Sequence, residues 1–208
     1  MTSIDFSSVN EQLSNASAED IIQWAAAQAK KPLVSTNFGP HEAVILHMVT
    51  QLNPETTVLW VDSGYNTRDT YKVAQQLIER LNLNIKVYAP TVTAARRDAA
   101  LGGIPTVDDP GHAEFTEQFK LEPFKRGMDE LKPDVWFTAV RREQTAFRQD
   151  MAAVSEGPNG VIKVAPLLDW TTEQMDDYLK RHDLPNVEKY FDPTKAVAGR
   201  ECGLHTQL

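Results

Sequence analysis

Between residues 33 and 90 the apolar pattern alternates between two periods, and this limits the fold more than any other feature. LVSTNF (33–38), TTVLWVD (56–62) and NIKVYAP (84–90) are short β-rich runs. Between them, Val44, Ile45, Met48, Val49 and Leu52, then Val73, Ala74, Leu77, Ile78 and Leu81, recur at helical spacing. Strand–helix–strand–helix–strand predicts parallel strands joined by right-handed crossovers, with helices on both faces. DVWFTAV (134–140) and VIKVAPLL (161–168) extend the series. The expected architecture is α/β, in three layers: a mostly parallel, five- or six-stranded twisted sheet flanked by helices.

Local signals fill in the rest. Ser17 with Asp20 forms a capping box for a helix over roughly 18–30, and Thr171 with Gln174 starts another from 172 to about 181. Thr67 caps the second crossover helix, and Gly39-Pro40 marks a break with Pro40 at a first helical position. LGGIPTVDDPGHAE (101–114) reads as a loop. EFTEQFKLEPFKRGMDELK reads as helix, kinked or divided by Pro123. Residues 1–16 are polar and expected to be loose. Residues 184–208 show no strong periodicity and are expected to form a mobile tail able to cover a site. At 208 residues with 41% hydrophobic content, one α/β domain over 1–208 is expected.

Bulk chemistry excludes some functions. A net charge of −8 argues against general affinity for nucleic acid backbones. No apolar stretch approaches a membrane span, and no secretory signal pattern opens the chain, so a cytoplasmic protein is expected. Five histidines lack metal-ligand spacing, and one cysteine cannot build an iron–sulfur cluster or an internal disulfide. The expectation is no bound cofactor and no metal.

Open parallel sheets bind ligands beyond the carboxyl ends of their strands. Those ends carry STNFG (35–39), DSGY (62–65), AP (89–90) and AVRREQ (139–144). STNFG has small polar groups and glycine before a helix, suited to phosphate, but it is neither a Walker motif nor a dinucleotide fingerprint. Asp62 suits a ribose hydroxyl or adenine amino group, or simply caps a turn. Arg141 and Arg142 offer guanidinium forks for phosphate or sulfate, or pair with Glu143. The lone thiol, Cys202, lies in RECGLH (200–205) beside Arg200, an environment that favours thiolate. Glu201 opposes it unless turned away or paired.

Together these segments resemble the thioredoxin-dependent phosphoadenylyl-sulfate (PAPS) reductases, within the adenine-nucleotide hydrolase-like superfamily. The resemblance runs from about Leu33 to His205 and rests on STNFG, WVDSGY, KLEP (120–123), AVRREQTAFR (139–148) and, most specifically, RECGLH. It implies reduction of PAPS to sulfite and adenosine 3′,5′-bisphosphate through an S-sulfocysteine on Cys202. Ser35, Thr36, Asn37 and Gly39 would line the nucleotide or its phosphosulfate. Asp62, Ser63, Gly64 and Tyr65 would help hold the nucleoside. Lys120, Arg141, Arg142 and Arg148 would bind anionic groups, and Arg200 and His205 would flank the nucleophile. Without a second cysteine the intermediate needs an external dithiol, reduced thioredoxin or glutaredoxin. Relatives are often homodimers, which carries over as an expectation.

The chain departs from the family between His182 and Arg200, where relatives are usually longer and richer in glycine and serine. That shortening puts the 3′-phosphate contacts in question, with Lys189, Lys195 or Arg200 as substitutes. Three alternatives stand beside PAPS reduction: a cluster-free adenylyl-sulfate (APS) reductase, a Mg²⁺-dependent ATP-pyrophosphatase of the same fold, and a noncatalytic nucleotide-binding relative.

Overall fold

The computed structural model describes residues 4–195. Among these residues a six-stranded sheet runs in the order β3-β2-β1-β4-β6-β5. Its elements follow the chain as α1 (Phe6–Gln12), α2 (Ala18–Gln28), β1 (Pro32–Thr36), α3 (Glu42–Leu52), β2 (Thr57–Val61), α4 (Arg68–Arg80), β3 (Asn84–Tyr88), α5 (Ala94–Leu101), α6 (His112–Thr116), α7 (Glu122–Leu131), β4 (Val135–Phe137), β5 (Val154–Glu156), β6 (Ile162–Val164) and α8 (Thr172–Arg181). The mostly parallel three-layer sheet is therefore observed. Its one antiparallel pairing is β5 with β6.

The pleat explains the layers. Val34, Val58, Val135, Phe137 and Val164 face one core with α2, α3 and α8, while Leu33, Leu59 and Trp136 face the other with Phe124 and Met128 of α7. Successive strand residues point to opposite faces, so both faces of the central strands must be apolar. Trp60 and Trp136 are both core, as their strand positions suggest. α3 is buried nearly all round and packs against β1, α2 and α8.

The capping boxes at Ser17 and Thr171 and the cap at Thr67 are present as the sequence predicts. Five local expectations are corrected. Residues Phe6–Gln12 form a helix within the segment expected to be loose. Asp5 caps it, and Asn10 holds it by exchanging two hydrogen bonds with the Val154 backbone. Pro40 is not the first helical residue: α3 starts at Glu42, after His41 in a left-handed conformation (φ 66°). The turn-rich stretch near 101–114 is flanked by α5 and begins α6 at His112. β5 lies between the fourth and fifth strands expected from the sequence; three residues followed by Gly157-Pro158 carry too little period to be seen. Pro123 does not divide its helix. The run from α6 to α7 continues through one widened π turn, Glu117–Leu121, placed immediately before it. Such turns recur at functional sites.

Candidate active site

The strand order reverses at β1: the chain moves outward to β2 and β3, then returns to β4 on β1's other edge. Loops leaving β1 and β4 must therefore part, opening a crevice at the carboxyl ends of the strands. A cavity of about 400 Å³ occupies this place.

The loop after β1 forms much of its wall. Ser35 accepts a hydrogen bond from Trp136 Nε1 (2.9 Å), which fixes its hydroxyl against β4. Thr36 Oγ1 accepts from the Phe38 amide (3.0 Å), and Asn37 Oδ1 accepts from the Gly39 amide (2.8 Å). Phe38, at φ 50°, is driven into the core edge-on against Trp60, with ring centroids 4.9 Å apart. The turn thereby aims its polar residues outward. At Gly39 a Cβ would lie 2.7 Å from Asn37 Oδ1, so a larger residue must displace that side chain and its bond to the Gly39 amide. Ser35, Thr36, Asn37 and Gly39 all line the cavity, as the sequence suggested.

Cations converge from three other segments. Lys120 enters from the π turn, Arg141 and Arg148 from the loop after β4, and Lys195 from the stretch after α8. The first three are almost fully buried. Arg141 pairs with Glu143 and also donates to Thr172 Oγ1 (3.2 Å). Arg148 bonds Gln144 Oε1, and Lys120 pairs with Asp192. Burial alone would push the Asp192 carboxyl up, but the Lys120 charge and hydrogen bonds from Lys120 and Thr194 outweigh it and hold it below the usual range. The result is a locally positive pocket in an acidic chain, which suits a small anion without general affinity for polyanions.

Residues 184–195 cover this pocket. Asn186 Oδ1 accepts from the His41 amide (2.9 Å), Thr67 Oγ1 donates to the Lys189 carbonyl (3.1 Å), and Asp192 takes the Lys120 pair. Lys195 thus reaches the cavity, whereas Lys189 contributes its carbonyl to an anchor.

Other predicted residues are placed elsewhere. Asp62 lies outside the cavity formed by the described residues. Its Oδ1 accepts from the Gly64 amide (3.0 Å), Asn66 Nδ2 (3.0 Å) and Tyr71 Oη (2.7 Å), so it organises its own loop. Gly64 provides the positive φ (76°) that this turn needs and also lies outside. Tyr65 packs on Phe115 and Phe119 and donates to Asp98 (2.6 Å); burial, then the Asp98 hydrogen bond, pushes its phenol up to about 12. Of that motif only Ser63 lines the cavity. Arg142 turns away, bonding Asp169 (2.7 Å) and the carbonyls of Gln149 and Met151. Arg141 is still extended, whereas Arg142 opens a short 3-10 turn (Arg142–Gln144), and that turn directs its guanidinium away from the cavity. Arg200, Cys202 and His205 lie outside the described residues.

Sequence reasoning missed Asn66, Thr138, Tyr190 and, above all, Glu42, which all line the cavity. A signal existed for Glu42. It sits three, four and seven residues before buried Ile45, Leu46 and Val49, so it continues an apolar stripe with an acid. Burial pushes its carboxyl up to about 7, against the lowering effect of Thr36, Lys195, Arg148 and Lys120.

A doubly wound, mostly parallel sheet with a cationic crevice at its switch point defines the class. Comparison with known proteins narrows it. Residues 31–202 match the phosphoadenosine phosphosulfate reductase domain model. A phosphoadenosine 5′-phosphosulfate reductase from Synechocystis sp. is 40% identical over all of this chain and 93% of its own length. One from Alkalilimnicola ehrlichii is 37% identical over 97% of this chain and 91% of its own. Among solved structures, PAPS reductase from Candida auris in its phosphate complex superposes with a TM-score of 0.77 at 19% identity, covering 89% of this chain and 90% of its own. An NMN synthetase from Francisella tularensis shares the fold more distantly, with a TM-score of 0.55 at 15% identity over 81% of this chain and 70% of its own. The chain belongs to the phosphoadenosine phosphosulfate reductase family, a family of enzymes.

Proposed function

We propose that this protein reduces PAPS to sulfite and adenosine 3′,5′-bisphosphate, with Cys202 as nucleophile. The observation that carries the proposal is the convergence of Lys120, Arg141, Arg148 and Lys195 on the cavity between β1 and β4. The cysteine follows seven positions after Lys195, and an extended chain covers ~3.5 Å per residue, so a reach of roughly 25 Å is available.

The chemistry follows from charge. The Cys202 thiolate attacks the sulfur of the phosphosulfate, forming a bond between the two sulfurs as the sulfur–oxygen bond to phosphate breaks. The leaving group departs as a phosphate anion and needs little proton transfer. The cavity cations screen the approaching negative charges, and the walls hold sulfur in line. One thiolate of a reduced dithiol then attacks Sγ of Cys202 and displaces sulfite, which takes both bonding electrons. The second thiol resolves the mixed disulfide and frees Cys202. With one cysteine in the chain, that dithiol must come from outside, and thioredoxin or glutaredoxin has the required pair. A reducing cytoplasm fits this cycle.

Intact-mass spectrometry after mixing with PAPS or APS tests the reading. A sulfonate adduct forms with PAPS on the wild type, is absent in Cys202→Ser, and disappears on adding reduced thioredoxin with release of sulfite. An adduct with APS alone would transfer the assignment to that substrate. No adduct with either would overturn it.

A further inference from the structure

Glu42 is an anomaly in a site built for an anion. It is half-buried, lines the cavity among cations, and stands in the first turn of α3. Its Oε2 is buried and has no hydrogen-bond partner among the described residues. An ionised carboxylate there would repel the bound phosphosulfate, while an unpartnered buried oxygen carries a desolvation cost. A neutral carboxyl resolves both: it carries no charge, and its hydroxyl is a donor that a ligand oxygen can accept.

We infer that Glu42 holds the nucleotide as a protonated acid, donating from its carboxyl to an anionic oxygen of the ligand, so that nucleotide binding above neutral pH takes up one proton from solvent. This deepens the proposed function and rests on it. The surroundings agree. Thr36 faces Glu42 from β1, Lys120 from the π turn, Arg148 from the loop after β4, and Lys195 from the covering segment. Asp192 neutralises Lys120, and His41, next in the chain, is turned to Asp176. Without ligand, burial already brings the carboxyl to about 7. A bound anion among the same cations places a like charge beside the carboxyl, which raises it further. Glutamine has the same shape and keeps one donor permanently, so it mimics the neutral acid at every pH.

The test is calorimetric titration with adenosine 3′,5′-bisphosphate from pH 6 to 8.5, in two buffers of different ionisation enthalpy. The second pKa of a phosphate monoester lies near ~6, so the ligand is almost fully ionised and contributes little above about pH 7.5. Between pH 7.5 and 8.5 the wild-type Kd should rise by up to about tenfold, the limit for one proton per site, with matching proton uptake. Glu42→Gln should show a flat Kd over that range, no such uptake, and binding up to about thirtyfold tighter than wild type at pH 8.5. A flat wild-type profile, needing no variant, would overturn the inference, as would equal slopes in the two proteins. Sulfite production from PAPS is assayed alongside. If sulfite forms while the profile is flat, only the role of Glu42 falls. If neither binding nor sulfite is seen, the functional reading falls with it.

Discussion

The loops after β1 and β2 look alike in sequence: each leaves a buried parallel strand, carries small polar residues and glycine, and leads to a helix. They do opposite work. The β1 loop drives one apolar side chain, Phe38, into the core, while Ser35, Thr36, Asn37 and Gly39 line the cavity. The β2 loop turns its acceptor inward on itself, through the three hydrogen bonds to Asp62 Oδ1, and sends Tyr65 into an aromatic cluster. A ligand loop and a scaffold loop can thus share a composition, and the single apolar anchor decides which way the polar atoms face.

The strongest way to break this contrast is Gly39→Ala. The added Cβ meets Asn37 Oδ1 at 2.7 Å and displaces that side chain, breaking its hydrogen bond to the residue-39 amide and moving it within the cavity wall. Small misplacements of a binding wall are costly, and we expect kcat/KM to fall by about a hundredfold. Circular dichroism should show an intact fold, because the clash is with a side chain at the cavity rim. Activity within threefold of wild type would mean that the loop does not position substrate.

Asp62→Ala tests the other side of the comparison. It removes one acceptor shared by three donors, and exposed replacements for them are only partly available. A loss of about 2 kcal/mol in stability is expected, with Tm lowered. The effect on kcat/KM should be several-fold, transmitted through Ser63 and Asn66, which line the cavity. A large activity loss at unchanged Tm would show that Asp62 meets the nucleoside directly.

Much of this was legible in the sequence, for identifiable reasons. Long elements with a sustained period, such as α3 and α4, declare themselves, and so do capping boxes, because their chemistry is local. The β1 wall was legible only in combination with the other motifs, since a strand end followed by small residues and glycine describes the β2 loop equally well. What escaped depends on tertiary placement. β5 pairs along the edge that β6 offers, and α1 is tied down where Asn10 meets the Val154 backbone and Phe6 and Val9 meet the core. Glu42 reads as an ordinary first-turn acid until the cavity closes over it. Side-chain direction at a strand end also escapes, since it depends on where the extended backbone stops alternating, and Arg142 shows this best.

Arg142 therefore gives the finest test of scaffold against ligand. Its neighbour Arg141 faces the cavity, while its own guanidinium ties Asp169 to the carbonyls of Gln149 and Met151 and closes the loop that carries Arg148. The Asp169 partner is largely exposed, so that pair contributes little; the carbonyl bonds matter more. Arg142→Gln should cost about 1 kcal/mol and leave kcat/KM within about threefold. Raising salt should weaken substrate binding equally in variant and wild type, because the cations that face the ligand are unchanged. A reduced salt dependence in the variant would show that Arg142 swings into the cavity when substrate arrives, which would make the loop after β4 a moving part of the site and its present hydrogen bonds the latch that binding releases.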